Sequence, residues 1–264
     1  MSQRVTITEN GPVATVTLTR PDKRNALDLK MIEGLVAAGE ALKARRDIRA
    51  VVLTGAGEAF SAGLDVTAMP LIVAAAMKDG GITQRTHGRA NLFQAAAMVW
   101  AELPMPVIAA VHGYAFGGAF QIMLGADIRI ATQSARFSIM EGKWGLIPDM
   151  GGLVLMRRLA RTDVIRRLTY TAEIFEAPAA LHWGFVTEIA ENPLAHATAL
   201  AHQIAARSPD AVRSAKRLIT ETELLGVEET LVAESLAQEA LIGQPNQTEA
   251  VMAGMQKRTP EFKD

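Results

Sequence analysis

Val5 and Ile7, a turn at Asn10-Gly11-Pro12 and alternating apolar and polar residues over 13–19 predict a β-hairpin. The period then changes from two to about 3.6. Met31, Ile32, Leu35, Val36, Ala38 and Leu42 recur at helical spacing behind Asp28, a residue suited to cap a helix start. A strand is predicted over 48–54, giving a ββαβ beginning. A polar Gly80-Gly81 break separates a short apolar stretch ending near Met77 from a helical pattern over 84–103, which Pro104 and Pro106 close. Strands over 107–111, 127–131 and 136–139 continue the alternation of sheet and helix that marks an α/β fold. From about Pro193 the pattern turns wholly helical, over 195–207, 209–224, 227–242 and 247–257. The chain therefore divides into an α/β core over 1–194 and a C-terminal helical subdomain over 195–264.

Composition narrows the function classes. The 264 residues are 49% hydrophobic and 21% charged with a formal net charge of −1, so no global basic field is available to hold nucleic acid or an anionic membrane. Arg157, Arg158, Arg161, Arg166 and Arg167 form a local basic cluster, but no aromatic stacking platform for RNA bases accompanies it. Cysteine is absent, which removes disulfides, thiolate metal sites and cysteine nucleophiles. Residues 1–9 alternate like a strand and have no apolar signal core, and the apolar run 71–77 is too short to span a bilayer. These features lead us to expect a cytoplasmic protein.

Two glycine-bearing segments carry the candidate chemistry. Phe-Ser-Ala-Gly-Leu-Asp over 60–65 follows the strand 50–53, and His-Gly-Tyr-Ala-Phe-Gly-Gly-Ala-Phe-Gln over 112–121 follows the strand 107–111. Each places bare backbone N–H groups where a sheet passes the chain to a helix. Together they read as a two-armed oxyanion hole, in which the N–H of Leu64 on one arm and that of Gly118 on the other would hold a carbonyl oxygen. Gly63, Asp65 and Gly117 are expected in the main chain that contacts the ligand, and a Cβ at Gly117 or Gly118 would obstruct it.

The stretch 137–152 supplies a titratable group. Glu141 stands among Ile139, Met140, Trp144, Leu146 and Ile147, whose apolar surroundings raise a carboxyl toward the range useful for a base. Asp149, behind Pro148, is a second acid within reach of the same pocket. Competing motifs fail on spacing: Gly55-Ala56-Gly57 lacks the third glycine of a dinucleotide fingerprint, and no phosphate loop, serine elbow or zinc helix occurs. His87, His112, His182, His196 and His202 are scattered without ligand spacing, so no metal site is expected.

These segments, with Arg-Pro-Asp-Lys-Arg-Asn-Ala-Leu over 20–27 and Ala-Ala-Leu-His-Trp-Gly-Phe-Val-Thr-Glu-Ile over 179–189, come in an order that resembles the crotonase superfamily, the enoyl-CoA hydratases and isomerases. The resemblance covers nearly the whole chain. It implies an α/β crotonase-type spiral of ββα units with a C-terminal helical trimerisation region, and a homotrimer or dimer of trimers. It implies a coenzyme A thioester as substrate, with no further cofactor. By motif position the Ala62 carbonyl would receive the adenine amino group, and Arg24 and Ala26 would lie near the pantetheine and phosphates.

One position departs from the family. Hydratases of this kind carry a glutamate where this chain has Gln121, and an amide does not exchange protons near neutral pH. Asp149 matches an acidic position of dienoyl-CoA isomerases, whose other acid would also fall on Gln121. The expected reaction is double-bond isomerisation with Glu141 as the single proton shuttle and Gln121 and Asp149 as polar partners. Hydration by one glutamate and non-catalytic acyl-CoA binding are the alternatives.

Overall fold

The computed structural model describes residues 3–264, apart from the side chain of Asp79; Met1 and Ser2, the start of the first alternating stretch, lie outside the described residues. The hairpin forms β1 (Val5–Asn10) and β2 (Val13–Leu18), with Gly11 at φ +57° in its turn. The Asp28 carboxylate accepts from the Met31 amide at 2.8 Å and starts α1 (Leu29–Lys43). Next come β3 (Ala50–Gly55), α2 (Met69–Met77) and α3 (Leu92–Ala101). The chain continues through β4 (Val107–Val111), β5 (Tyr114–Phe116), α4 (Gly118–Leu124), β6 (Ile128–Ala131) and β7 (Arg136–Ser138). After these lie α5 (Gly152–Met156), α6 (Thr162–Thr171), β8 (Phe175–Glu176), α7 (Ala177–Trp183) and β9 (Glu188–Ile189). The last four helices are α8 (Pro193–Ala205), α9 (Pro209–Thr222), α10 (Val227–Glu239) and α11 (Pro245–Gln256).

The large sheet runs β1-β2-β3-β4-β6-β9, parallel except for the β1–β2 hairpin. A small sheet, β5-β7-β8, lies beside it. A parallel bridge from Ser61 to Ala115 brings the first glycine segment to the small sheet as well. Residues 50–61, 107–116 and 128–138 thus each give one strand or bridge to the large sheet and the next to the small one, which makes the path a spiral.

Strands β3 and β4 are covered on both faces and buried at every position, with Thr54, whose hydroxyl donates to the Ala110 carbonyl at 3.0 Å, as their one polar side chain. In β3, Val51 and Leu53 enter a core with α1, α3 and α4, whereas Ala50 and Val52 enter a second core with Ala197, Ala201 and Ala205 of α8. The four-residue spacing of those alanines makes one smooth helical stripe that lies close on the sheet. The helix predicted over 84–103 starts later. Asn91 and Gln94 form a reciprocal capping box at Leu92, and Gly88 at φ +63° sits in the irregular stretch before it. Strand β5 lies hidden inside the second glycine segment, because three residues are too few to show a period. Among the described residues no helix is long and apolar enough to cross a membrane.

Candidate active site

The two glycine arms meet. Ser61 N–H donates to the Tyr114 carbonyl at 2.9 Å, and a Cβ on Gly63, at φ +83°, would collide with the Phe116 carbonyl oxygen. Glycine is required at 63 because main chain approaches main chain, rather than to make room for a ligand. Three neighbouring amides are occupied: Gly63 N–H donates to Ser61 Oγ, Asp65 N–H to the Leu27 carbonyl and Gly117 N–H to the Ser138 carbonyl. Among the described residues, the amides of Leu64 and Gly118 have no acceptor. Both residues line one cavity of about 390 Å³, together with Ala62, Gly63, Gly117, Glu141 and Asp149.

Gly118 differs from its expected role in one respect. Its missing Cβ would stand 2.6 Å from Met150 Sδ and 3.1 Å from Leu27 Cδ1, so a neighbouring side chain, not a ligand, fills that side. At Gly117, φ is +53° and a Cβ would reach 3.5 Å from Glu141 Oε1, directly against the candidate base.

Glu141 is more than an acid in an apolar stretch. Gln121, fully buried on α4, donates from Nε2 to Glu141 Oε1 at 2.5 Å. Gln121 Oε1 accepts from the amides of Met150 at 2.8 Å and Gly152 at 2.9 Å. A Cβ on Gly152 would lie 2.5 Å from that oxygen, so the glycine permits the approach. Glu141 Oε2 is buried and lacks a hydrogen-bond partner among the described residues. Burial raises the Glu141 carboxyl above its ordinary value, opposed by its own backbone amide and by Gln121. Asp149 lines the same cavity with part of its surface in solvent, and desolvation raises it as well.

Other predicted contacts lie elsewhere. The Asp65 carboxylate is turned away from the cavity: it accepts from the Thr67 hydroxyl at 2.6 Å, pairs with Arg20 at 2.7 Å and accepts from the Thr67 amide at 3.0 Å, and these partners, the hydroxyl foremost, hold it below its usual value against burial. The Ala26 carbonyl accepts from Arg20 Nη1 at 3.1 Å and does not line the cavity. Arg24 is exposed in an adjoining groove with Pro21, Asp22, Lys23, Gly57 and Glu58, and Ala62 belongs to both the groove and the cavity. In the basic cluster, Arg158, Arg161 and Arg167 are paired with Glu223, Asp163 and Glu173.

Asn25 is a site-building residue that sequence reasoning missed. It is fully buried at φ +54°; its Oδ1 accepts from the Arg20 amide, and its Nδ2 donates to the carbonyls of Ala56 and Ala59, each at 2.8 Å. Its own carbonyl accepts from Ser61 Oγ at 2.7 Å. An asparagine in a polar loop is the available signal, since this residue type tolerates the left-handed region and bonds nearby backbone.

Comparison with known proteins gives the family of the chain and the likeness of its fold. Residues 8–264 match the family described as Enoyl-CoA hydratase/isomerase. The carnitinyl-CoA dehydratase of Salmonella arizonae is 35% identical over 275 residues, covering 100% of this chain and 99% of that protein. That of Salmonella enteritidis is also 35% identical, over 87% and 85% of the two chains. The solved enoyl-CoA hydratase from Bacillus anthracis superposes with a TM-score of 0.88 at 28% identity, covering 99% of both chains. The enoyl-CoA hydratase from Mycobacterium tuberculosis H37Rv gives 0.86 at 27%, again over 99% of each.

Proposed function

The chain belongs to the enoyl-CoA hydratase/isomerase family, and from that premise we propose that it shifts a double bond in a coenzyme A enoyl thioester, with Glu141 carrying the proton. The bond from Gln121 to Glu141 carries this reading. It leaves one carboxylate oxygen, Oε2, as the base, and puts an amide where a second acid would be needed to share a water.

In a 3-enoyl thioester the amides of Leu64 and Gly118 would accept the carbonyl oxygen between them. Their dipoles stabilise the charge that grows there as Glu141 removes a proton from C2, an effect worth about 3 to 4 kcal/mol per donor. The C–H electron pair becomes the C2=C3 bond, and the former C3=C4 bond takes the proton from Glu141 at C4. The base ends the cycle ionised, and no water is consumed. Asp149, at the cavity wall, adds like charge that raises Glu141 further. Lys23 and Arg24 in the adjoining groove suit the phosphates of coenzyme A.

The relatives' names favour a second reading, addition or removal of water. Gln121 is fully buried and does not line the cavity, so Glu141 alone would both deprotonate the water and protonate C2. A 3-enoyl thioester in D₂O and a 2-enoyl thioester in ¹⁸O water separate the two. Conversion of the first to the 2-enoyl thioester, with C4 protonated by the shuttled proton or by deuterium exchanged onto Glu141, supports migration; ¹⁸O uptake from the second, at a comparable rate, overturns it. The reading also includes a trimer or dimer of trimers, supported by the exposed Val227, Leu231 and Leu236 of α10 and Met255 of α11; light scattering tests it.

A further inference from the structure

The cavity has two chemically different ends. At one, Ala62 opens onto the groove with Lys23 and Arg24. Away from Ala62, much of the wall is Met69, Ile72, Val73 and Ala76 of α2, with Ile82 and Phe93, and the polar side chains on the lining are Glu141, Asp149 and the Trp144 indole. Leu64, Gly118 and Glu141 line the cavity as well. If the charged part of a thioester leaves past Ala62, as the proposed function requires, its acyl chain has α2 to lie along.

The composition of α2 is unusual for a surface helix. Its nine residues, Met-Pro-Leu-Ile-Val-Ala-Ala-Ala-Met, include no polar side chain, yet only Ile72 is buried, while Val73 is 51% exposed and Leu71 70%. A helix apolar on every side is stable when those sides are covered. Positions 69, 72, 73 and 76 follow the i, i+3, i+4, i+7 spacing of one helical face, and all four line the cavity. None of these four side chains, nor Ile82 or Phe93, carries nitrogen or oxygen. A hydroxylated or charged acyl end would lose its water there without a replacement partner.

We propose that this stripe binds an apolar acyl chain of medium length, and that Ala76 sets the length limit. From Met69 to Ala76 the helix advances about 10 Å. With C–C bonds of about 1.5 Å at angles of about 111°, that distance accommodates an extended chain of about eight carbons.

The test is calorimetric binding of saturated acyl-CoAs, from about four to about twelve carbons, which can neither isomerise nor add water. Affinity is expected to rise about fourfold per methylene up to about eight carbons and then level off. Ala76→Phe should move the plateau to chains at least about two carbons shorter. Flat affinity across the wild-type series overturns the proposal, as does a plateau that neither Ala76→Phe nor Ile82→Trp moves, or tighter binding of carnitinyl-CoA than of octanoyl-CoA. Because the ligands are unreactive, failure of the proposed reaction leaves this result standing, and flat binding beside normal turnover removes this inference alone.

Discussion

Gln121 Nε2 lies 2.5 Å from Glu141 Oε1, and Gln121 can only be the donor, because its own Oε1 already accepts from the amides of Met150 and Gly152. The amide cannot flip without leaving two buried N–H groups unpaired, at about 1 to 3 kcal/mol each. One oxygen of the Glu141 carboxylate is therefore held, and the other, Oε2, has no hydrogen-bond partner among the described residues.

Gln121→Glu should change the reaction balance. Its carboxylate would keep the Met150 and Gly152 amides and place a second acid against Glu141, so the pair would share one proton. Hydration of a 2-enoyl thioester, followed by loss of enoyl absorbance, should rise by about tenfold or more. Unchanged hydration would mean that the amide at 121 is not what restrains water addition.

Glu141→Gln should lower double-bond migration by about 10²- to 10⁴-fold. In the proposed reaction the ionised carboxylate is the base, and burial raises its pKa. The acid limb of kcat/KM should accordingly fall above the ordinary glutamate value of 4.5. A limb at or below that value would contradict a buried base.

The same shift sets a stability trend. A carboxyl raised in the folded state contributes stability that is fully present below its unfolded pKa and is lost as pH rises through the folded pKa. Glu141→Gln removes this loss and can still accept from Gln121. The variant should melt higher than wild type at neutral pH, with the gap closing as pH falls toward 4.5. A gap independent of pH would place the effect elsewhere.

Gly63→Ala and Gly11→Ala separate strain from collision. Both glycines have positive φ, +83° and +57°, but only at Gly63 would the new methyl meet backbone, the Phe116 carbonyl; at Gly11 nothing lies within 4 Å. Gly11→Ala should cost about 1 kcal/mol. Gly63→Ala should cost clearly more and reduce kcat/KM, since the arm bearing Leu64 must move; equal melting temperatures would contradict this.

Asn25→Ala should lower both stability and kcat/KM. It strips an acceptor from the Arg20 amide and donors from the Ala56 and Ala59 carbonyls, and forces alanine to φ +54°. A loss of about 3 kcal/mol or more in denaturant unfolding is expected. Asn25→Asp, which can retain only the acceptor role, should fall between.

The sequence by itself determined the α/β alternation, the hairpin, the Asp28 cap and the two glycine arms, because each is written in residues near one another in the chain. It also placed Glu141 in apolar company and marked Gln121 as an amide. Only the tertiary structure joined those two at 2.5 Å, turned Asp65 toward Arg20 instead of the cavity, put the side of Gly118 against Met150 and made Asn25 the tie between two loops. Such contacts link residues that are 20 or more positions apart, and α2 showed its apolar stripe without showing what it faces. Local periodicity records which side of an element is buried; which partner buries it depends on how the spiral closes.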